Sequence, residues 1–145
     1  MTTMDAFLLS LTSCLNKPYR WGGDNPLTGF DCSGLVQWAL KSCGIDPPGD
    51  QTAQALYDHF RDRGNHSPRS LTGTLVFYGK DHKSITHVAV MLNAWQVIEA
   101  GGGGSDTTTL DIAAKKGACV RIRHIDARKD IVAKVKPDFS KVGLL

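Results

Sequence analysis

The stretch Gly29-Phe30-Asp31-Cys32-Ser33-Gly34 decides how the rest of the chain is read. It places a cysteine directly after an acid, behind a glycine- and turn-rich loop that runs from Tyr19 to Gly29. Beyond it, Leu35, Val36, Ala39, Leu40 and Cys43 recur at helical spacing, and Gly44 is a natural terminator. This pattern predicts a helix that starts at Cys32, with Asp31 as its N-cap. Such a helix aims its positive end at the sulfur, which favours a thiolate. It also leaves free N–H groups where an oxyanion would form. An isolated cysteine in this setting is more often a small core residue than a nucleophile, so partners must be sought elsewhere in the chain.

Upstream, Phe7, Leu8, Leu11 and Leu15 share one face of a predicted helix over Asp5 to Leu15, which Pro18 ends. Downstream, Ala53, Leu56, Tyr57 and Phe60 suggest a third helix that stops near Arg63. The period then changes. Residues 74–79, 87–92, 95–100 and 119–124 are short β-branched or aromatic runs separated by turns. Arg121 and Arg123 alternate with Val120 and Ile122, which gives the last of these strands one wet face. Residues 101–109 (GGGGSDTTT) read as a flexible surface loop. Helices first and strands afterwards predict an α+β fold, with N-terminal helices packed on an antiparallel sheet.

The 145 residues fit a single domain over 1–145, with a motif-bearing core at about 5–125 and a C-terminal tail at 126–145. The tail reads as a packed or docking segment. A net charge of +3 and scattered basic residues give no stripe of the kind that tracks nucleic acid. The four cysteines, Cys14, Cys32, Cys43 and Cys119, form no C-x-x-C pair. That argues against a zinc knuckle and favours four thiols, three of them structural. Residues 8–14 (LLSLTSC) resemble a lipoprotein cleavage box. The preceding segment, however, lacks Lys and Arg and contains Asp5, so an ordinary helix is expected. No run approaches the length of a membrane span.

The segment from Pro18 to Ile45 resembles the nucleophile region of the NlpC/P60 family, papain-like cysteine peptidases of bacterial cell walls. The matching elements are Pro18-Tyr19, Trp21-Gly22-Gly23, Phe30-Asp31-Cys32-Ser33-Gly34-Leu35 and the helix closed by Gly44. Gly73 to Gly79 resembles the family's strand before its histidine, with Thr74 where an acid is usual. Thr86 to Leu92 resembles the histidine strand. The resemblance covers residues 5–125 and implies a papain-like fold with Cys32 as the nucleophile.

Five histidines are available as its base. His59 lies on the third helix, His66 in a polar turn, His82 in a loop and His124 near a strand end. His87 opens an apolar strand, where a purely structural histidine is unusual, and the resemblance also selects it. The family's third group, a polar residue on the next strand, falls at Glu99, a carboxylate where His, Asn or Gln is common. Strand parity tests this assignment. A two-residue turn at Asn93-Ala94 would pair Val88 with Glu99 and put His87 and Glu99 on opposite faces. An odd connection centred near Asn93, or a bulge, would pair His87 with Glu99 directly, and such a connection is expected.

The resemblance further implies that Tyr19, Asp31 and Ser33 line the pocket on the amino-terminal side of the cut, where an acid receives a free amine. Trp21 would serve as pocket wall. The implied activity is hydrolysis of a peptidoglycan stem-peptide amide, between γ-D-glutamate and the following diamino acid, through a thioester and without metal or organic cofactor. The partner is the stem peptide, with no nucleic acid and no membrane span. Two rivals are acyl transfer or amidase chemistry on another substrate, and a non-catalytic module of a phage tail or scaffold. With no signal peptide read, the chain is expected to be made in the cytoplasm and to act on the wall or in the periplasm. A phage virion, release at lysis or a secretion system would carry it there.

Overall fold

The computed structural model describes residues 1–140. Helix α1 (Thr3–Thr12) starts at a capping box in which Thr2 and Asp5 satisfy one another's backbone N–H. It buries Phe7 and Leu11 completely. A short hairpin, β1 (Asp24–Asn25) and β2 (Gly29–Phe30), leads into α2 (Cys32–Ser42), and α3 (Ala53–Phe60) follows. Gly44 closes α2 with a left-handed φ of 80°.

The strands are β3 (Gly64–Asn65), β4 (Leu75–Gly79), β5 (Ile85–Met91), β6 (Gln96–Gly101), β7 (Cys119–His124) and β8 (Ile131–Pro137). They form a six-stranded antiparallel sheet in the order β3-β8-β4-β5-β6-β7. A fourth helix, α4 (Leu110–Lys116), fills the connection from β6 to β7. The α+β expectation therefore holds. Residues 131–137, placed in a tail by the sequence reading, are β8, hydrogen-bonded to β3 on one side and β4 on the other. Residues 141–145 lie outside the described residues.

Period-two alternation explains the sheet's two faces. Leu75, Phe77, Val88, Val90, Ile98, Ala100 and Val120 turn towards the helices and join Phe7, Leu11, Leu35, Leu40 and Leu56 in the main core. Val76, Tyr78, Ala89, Met91 and Val97 form a second apolar cluster on the other face. That face is closed by the link between β7 and β8: Ile125 packs into the cluster, and its carbonyl accepts the Tyr78 hydroxyl at 3.2 Å. His87 and Glu99 share the parity of this second face, so the sheet carries them away from the main core.

Residues 101–109 are a wall rather than a loose loop. A Cβ on Gly103 would stand 2.3 Å from the Tyr19 ring, so only glycine permits this packing. All four cysteines are free thiols, with Cys14 and Cys43 buried. Among the described residues, no helix is long and apolar enough to cross a membrane. No group of three or more His, Cys, Asp or Glu side chains there could hold a metal ion.

Candidate active site

Asp31 organises the nucleophile loop. Its carboxylate accepts the N–H of Gly34 at 2.7 Å as the N-cap of α2, and the N–H of Gly22 at 3.0 Å across the loop. The Ser33 hydroxyl donates to the same carboxylate at 3.3 Å. Burial pushes the Asp31 carboxyl up, and these hydrogen bonds work against that shift. The loop lies so close to the helix that a Cβ on Gly34 would stand 1.9 Å from the Gly23 carbonyl oxygen. Gly34 is therefore the residue that lets the loop and the helix N-terminus meet at Cys32.

The N-terminus of α2 abuts the start of β5. Cys32 Sγ lies 4.0 Å from the Thr86 carbonyl oxygen, and its thiol is within hydrogen-bonding reach of the His87 ring. His87 is 7 % exposed and uses Nε2 to meet Glu99 Oε1 at 2.9 Å. Nδ1 is then the ring nitrogen left for the sulfur. Burial alone would push the imidazolium down; hydrogen bonding with Cys32 and Glu99, and their negative charge, raise it to about 9. Burial likewise opposes the charge on Glu99, but His87 and Arg121 hold it ionised, down to about 2.

The connection from β5 to β6 explains the contact. Leu92 N–H donates to the Gln96 carbonyl at 2.9 Å, leaving Asn93, Ala94 and Trp95 as a three-residue loop. The Asn93 side chain holds it, accepting the N–H of Trp95 and of Gln96 at 2.9 Å each. The connection is odd, as expected, but it is centred on Ala94. Met91 pairs with Val97 and Val90 with Ile98, a register that sets Glu99 across from Ala89. His87 and Glu99 are thus not a direct pair, which corrects the expected pairing. They meet on the diagonal of one face, a step that long side chains span.

Arg121 and Arg123 were not foreseen as site residues. Arg121 is the register partner of Glu99 and donates to Oε2 through Nε at 3.1 Å, while Arg123 Nη1 approaches the same oxygen at 3.5 Å. The alternation of charge along β7 was visible in the sequence. Its register against β6 was not, because α4 and two loops intervene.

Cys32, His87 and Glu99 line one cleft of about 650 Å³ together with Tyr19, Trp21, Asp31 and Ser33. Burial, reinforced by Cys32 and Asp31, pushes the Tyr19 hydroxyl up. Trp21, 54 % exposed, forms the rim. The amides of Cys32 and Ser33, in the first turn of α2, donate to no acceptor among the described residues. The other histidines are engaged elsewhere: His82 stacks on Tyr57, His59 packs edge-on against Phe60, His66 meets the Arg61 carbonyl, and His124 caps a turn. Thr74, where an acid was noted as usual, is fully buried with its hydroxyl unpartnered.

A helix-borne thiol thus faces a strand-borne imidazole at the end of an antiparallel sheet, within a papain-like fold. The sequence model of the NlpC/P60 family matches residues 16–124, and the chain belongs to that family. Over 90 residues it is 40 % identical to the bifunctional muramidase/DL-endopeptidase CwlT of Bacillus subtilis, covering 61 % of this chain and 26 % of that protein. Over 94 residues it is 37 % identical to the murein DD-endopeptidase MepH of Escherichia coli, covering 63 % and 34 %. The match thus spans about a quarter to a third of these relatives' length. Among solved structures, RipD of Mycobacterium tuberculosis, described as a non-catalytic NlpC/p60 domain protein, superposes with a TM-score of 0.69 at 19 % identity over 100 % of this chain and 99 % of that one. That likeness shows the fold.

Proposed function

We propose that the chain is a peptidoglycan hydrolase, a cysteine endopeptidase that cuts a stem-peptide amide between γ-D-glutamate and the following diamino acid. The observation that carries this reading is the buried, Glu99-held His87 presented to Cys32 at the N-terminus of α2. The relatives CwlT and MepH, named as endopeptidases, support the substrate class.

In this mechanism the Cys32 thiolate attacks the amide carbonyl carbon, and the carbonyl π electrons move onto oxygen. The amides of Cys32 and Ser33 receive that oxyanion. As the tetrahedral species collapses, the C–N bond breaks and the His87 imidazolium gives its Nδ1 proton to the leaving amine. The resulting thioester is attacked by water, whose proton passes to His87, and the new carboxyl group leaves as Cys32 is regenerated. Glu99 keeps the ring oriented and the imidazolium favourable throughout. Asp31, which lines the cleft beside Cys32, receives a free amine on the substrate. The cleft volume accommodates a few residues of peptide. The site of action is the cell wall.

Mass spectrometry of defined stem peptides after incubation with the protein tests the reading. The expected products carry a new amino terminus on the diamino acid. A binding-only role of the kind named for RipD would retain wall fragments without new products, and transfer of an acyl group to an added nucleophile would indicate acyltransferase chemistry.

A further inference from the structure

The Glu99 carboxylate is shared by His87, Arg121 and Arg123. With an imidazolium at His87 facing a thiolate at Cys32, those two charges cancel. One carboxylate then stands against two guanidiniums. Arg128, also on the cleft, does not change this count, because Asp130 binds it through two hydrogen bonds of 3.0 and 2.7 Å. The Glu99 end of the cleft therefore carries an uncompensated positive charge. Asp31 and Asp50 line the cleft at the Cys32 side, close enough that Asp50 raises Asp31. The cleft is polarised along its length.

The two arginines differ. Arg121 lies directly across from Glu99, and its Nη atoms pack over Gly101 and Gly102, 3.0 Å from where a Cβ would stand. Its Nε is bound to Glu99 at 3.1 Å, and its Nη atoms, though without an acceptor among the described residues, are held against this glycine backbone. Arg123 pairs in register with Val97, two residues along the strand, and reaches Glu99 through Nη1 alone at the long distance of 3.5 Å. Its remaining N–H donors meet no protein acceptor among the described residues, and a third of its side chain is exposed on the cleft.

We propose that Arg123 reads a carboxylate of the substrate at the end of the cleft away from Asp31. The proposal rests on the peptidase reading above. A planar guanidinium with unspent donors takes a carboxylate as a fork, and a half-buried cleft strengthens the pairing relative to open water. A bound carboxylate also completes the charge count. Two groups of the same chemistry flank the bond in question: the α-carboxylate of a γ-linked glutamyl residue, and the distal carboxylate of the diamino acid when that residue is diaminopimelate.

The test titrates Cys32→Ala protein, with and without Arg123→Gln, by calorimetry against three stem peptides. One has both carboxylates free, one has the glutamyl carboxylate amidated, and one has lysine in place of diaminopimelate. Arg123→Gln is expected to weaken the fully carboxylated peptide by about tenfold and to leave within about twofold the peptide lacking the group that Arg123 reads. The peptide on which the effect vanishes identifies the source. Arg123→Lys, which keeps the charge and the pairing with Glu99 but loses the fork, should fall between. Equal weakening of all three peptides, or no weakening of any, overturns the proposal. Wild-type protein incubated with the same peptides separates the two readings. Binding without cleavage would remove the peptidase reading, whereas cleavage indifferent to Arg123 would remove only the carboxylate subsite.

Discussion

At the scale of the residue, Glu99 is the departure that shapes this site. A neutral third partner would orient the imidazole, whereas a carboxylate also charges it. Arg121 and Arg123 share Oε2 and keep that carboxylate ionised and in place. Glu99→Gln keeps an acceptor oxygen near His87 but removes the charge that helps raise the imidazolium to about 9. The sign follows directly. Without the anion the imidazolium loses its proton at lower pH, towards the ordinary value of 6.5, so the alkaline limb of the pH–activity profile should move to lower pH. Activity at pH 8 should fall about 10- to 100-fold. A profile measured on a defined stem peptide checks this, and an unmoved alkaline limb would mean that Glu99 only packs.

At the scale of the element, two devices bring the site together: the glycine-lined approach of the Trp21–Gly23 loop to α2, and the odd connection between β5 and β6. Parity is the stricter constraint, because a one-residue change sends alternate side chains to opposite faces. Deleting Gln96 while the Asn93–Trp95 loop is kept would pair Leu92 with Val97 and Val90 with Glu99, which places Glu99 on the helix-facing side, opposite in parity to His87. The deletion variant should retain a cooperative unfolding transition and lose about 10²-fold or more in activity. Circular dichroism and peptide cleavage, measured together, distinguish this from general unfolding. The parity was legible in the sequence as a requirement, since Asn93 is a good turn residue and His87 and Glu99 must share a face. The register was not legible. The centre of a three-residue loop depends on which Asn93 hydrogen bonds form, and either neighbouring centre suits the local sequence.

At the scale of the whole molecule, the α+β plan, with Cys32 at a helix start and His87 on a strand, was legible because helical and strand periods separate cleanly along the chain. What was not legible depended on long-range pairing. Residues 131–137 carry Lys134 and Lys136 among apolar residues, a pattern that suits an outlying segment, yet they fill the sheet between β3 and β4. Likewise, the run Gly101–Gly104 looks flexible until Tyr19 and Arg121 are seen to pack against it. Ending the chain after Asp130 would strip β4 of one of its two partners, leaving it paired with β5 alone, and uncover Tyr78 and Val76. Such a truncation is expected to abolish cooperative folding by circular dichroism, whereas retention of a native transition would make β8 dispensable. The central claim, that Cys32 drives cleavage of a wall peptide, is tested most directly by incubating purified sacculi with the wild type and with Cys32→Ala and analysing the soluble fragments by mass spectrometry. The account predicts fragments ending at γ-D-glutamate from the wild type and none from the variant; equal release by both proteins, or none by either across several wall chemistries, would contradict it.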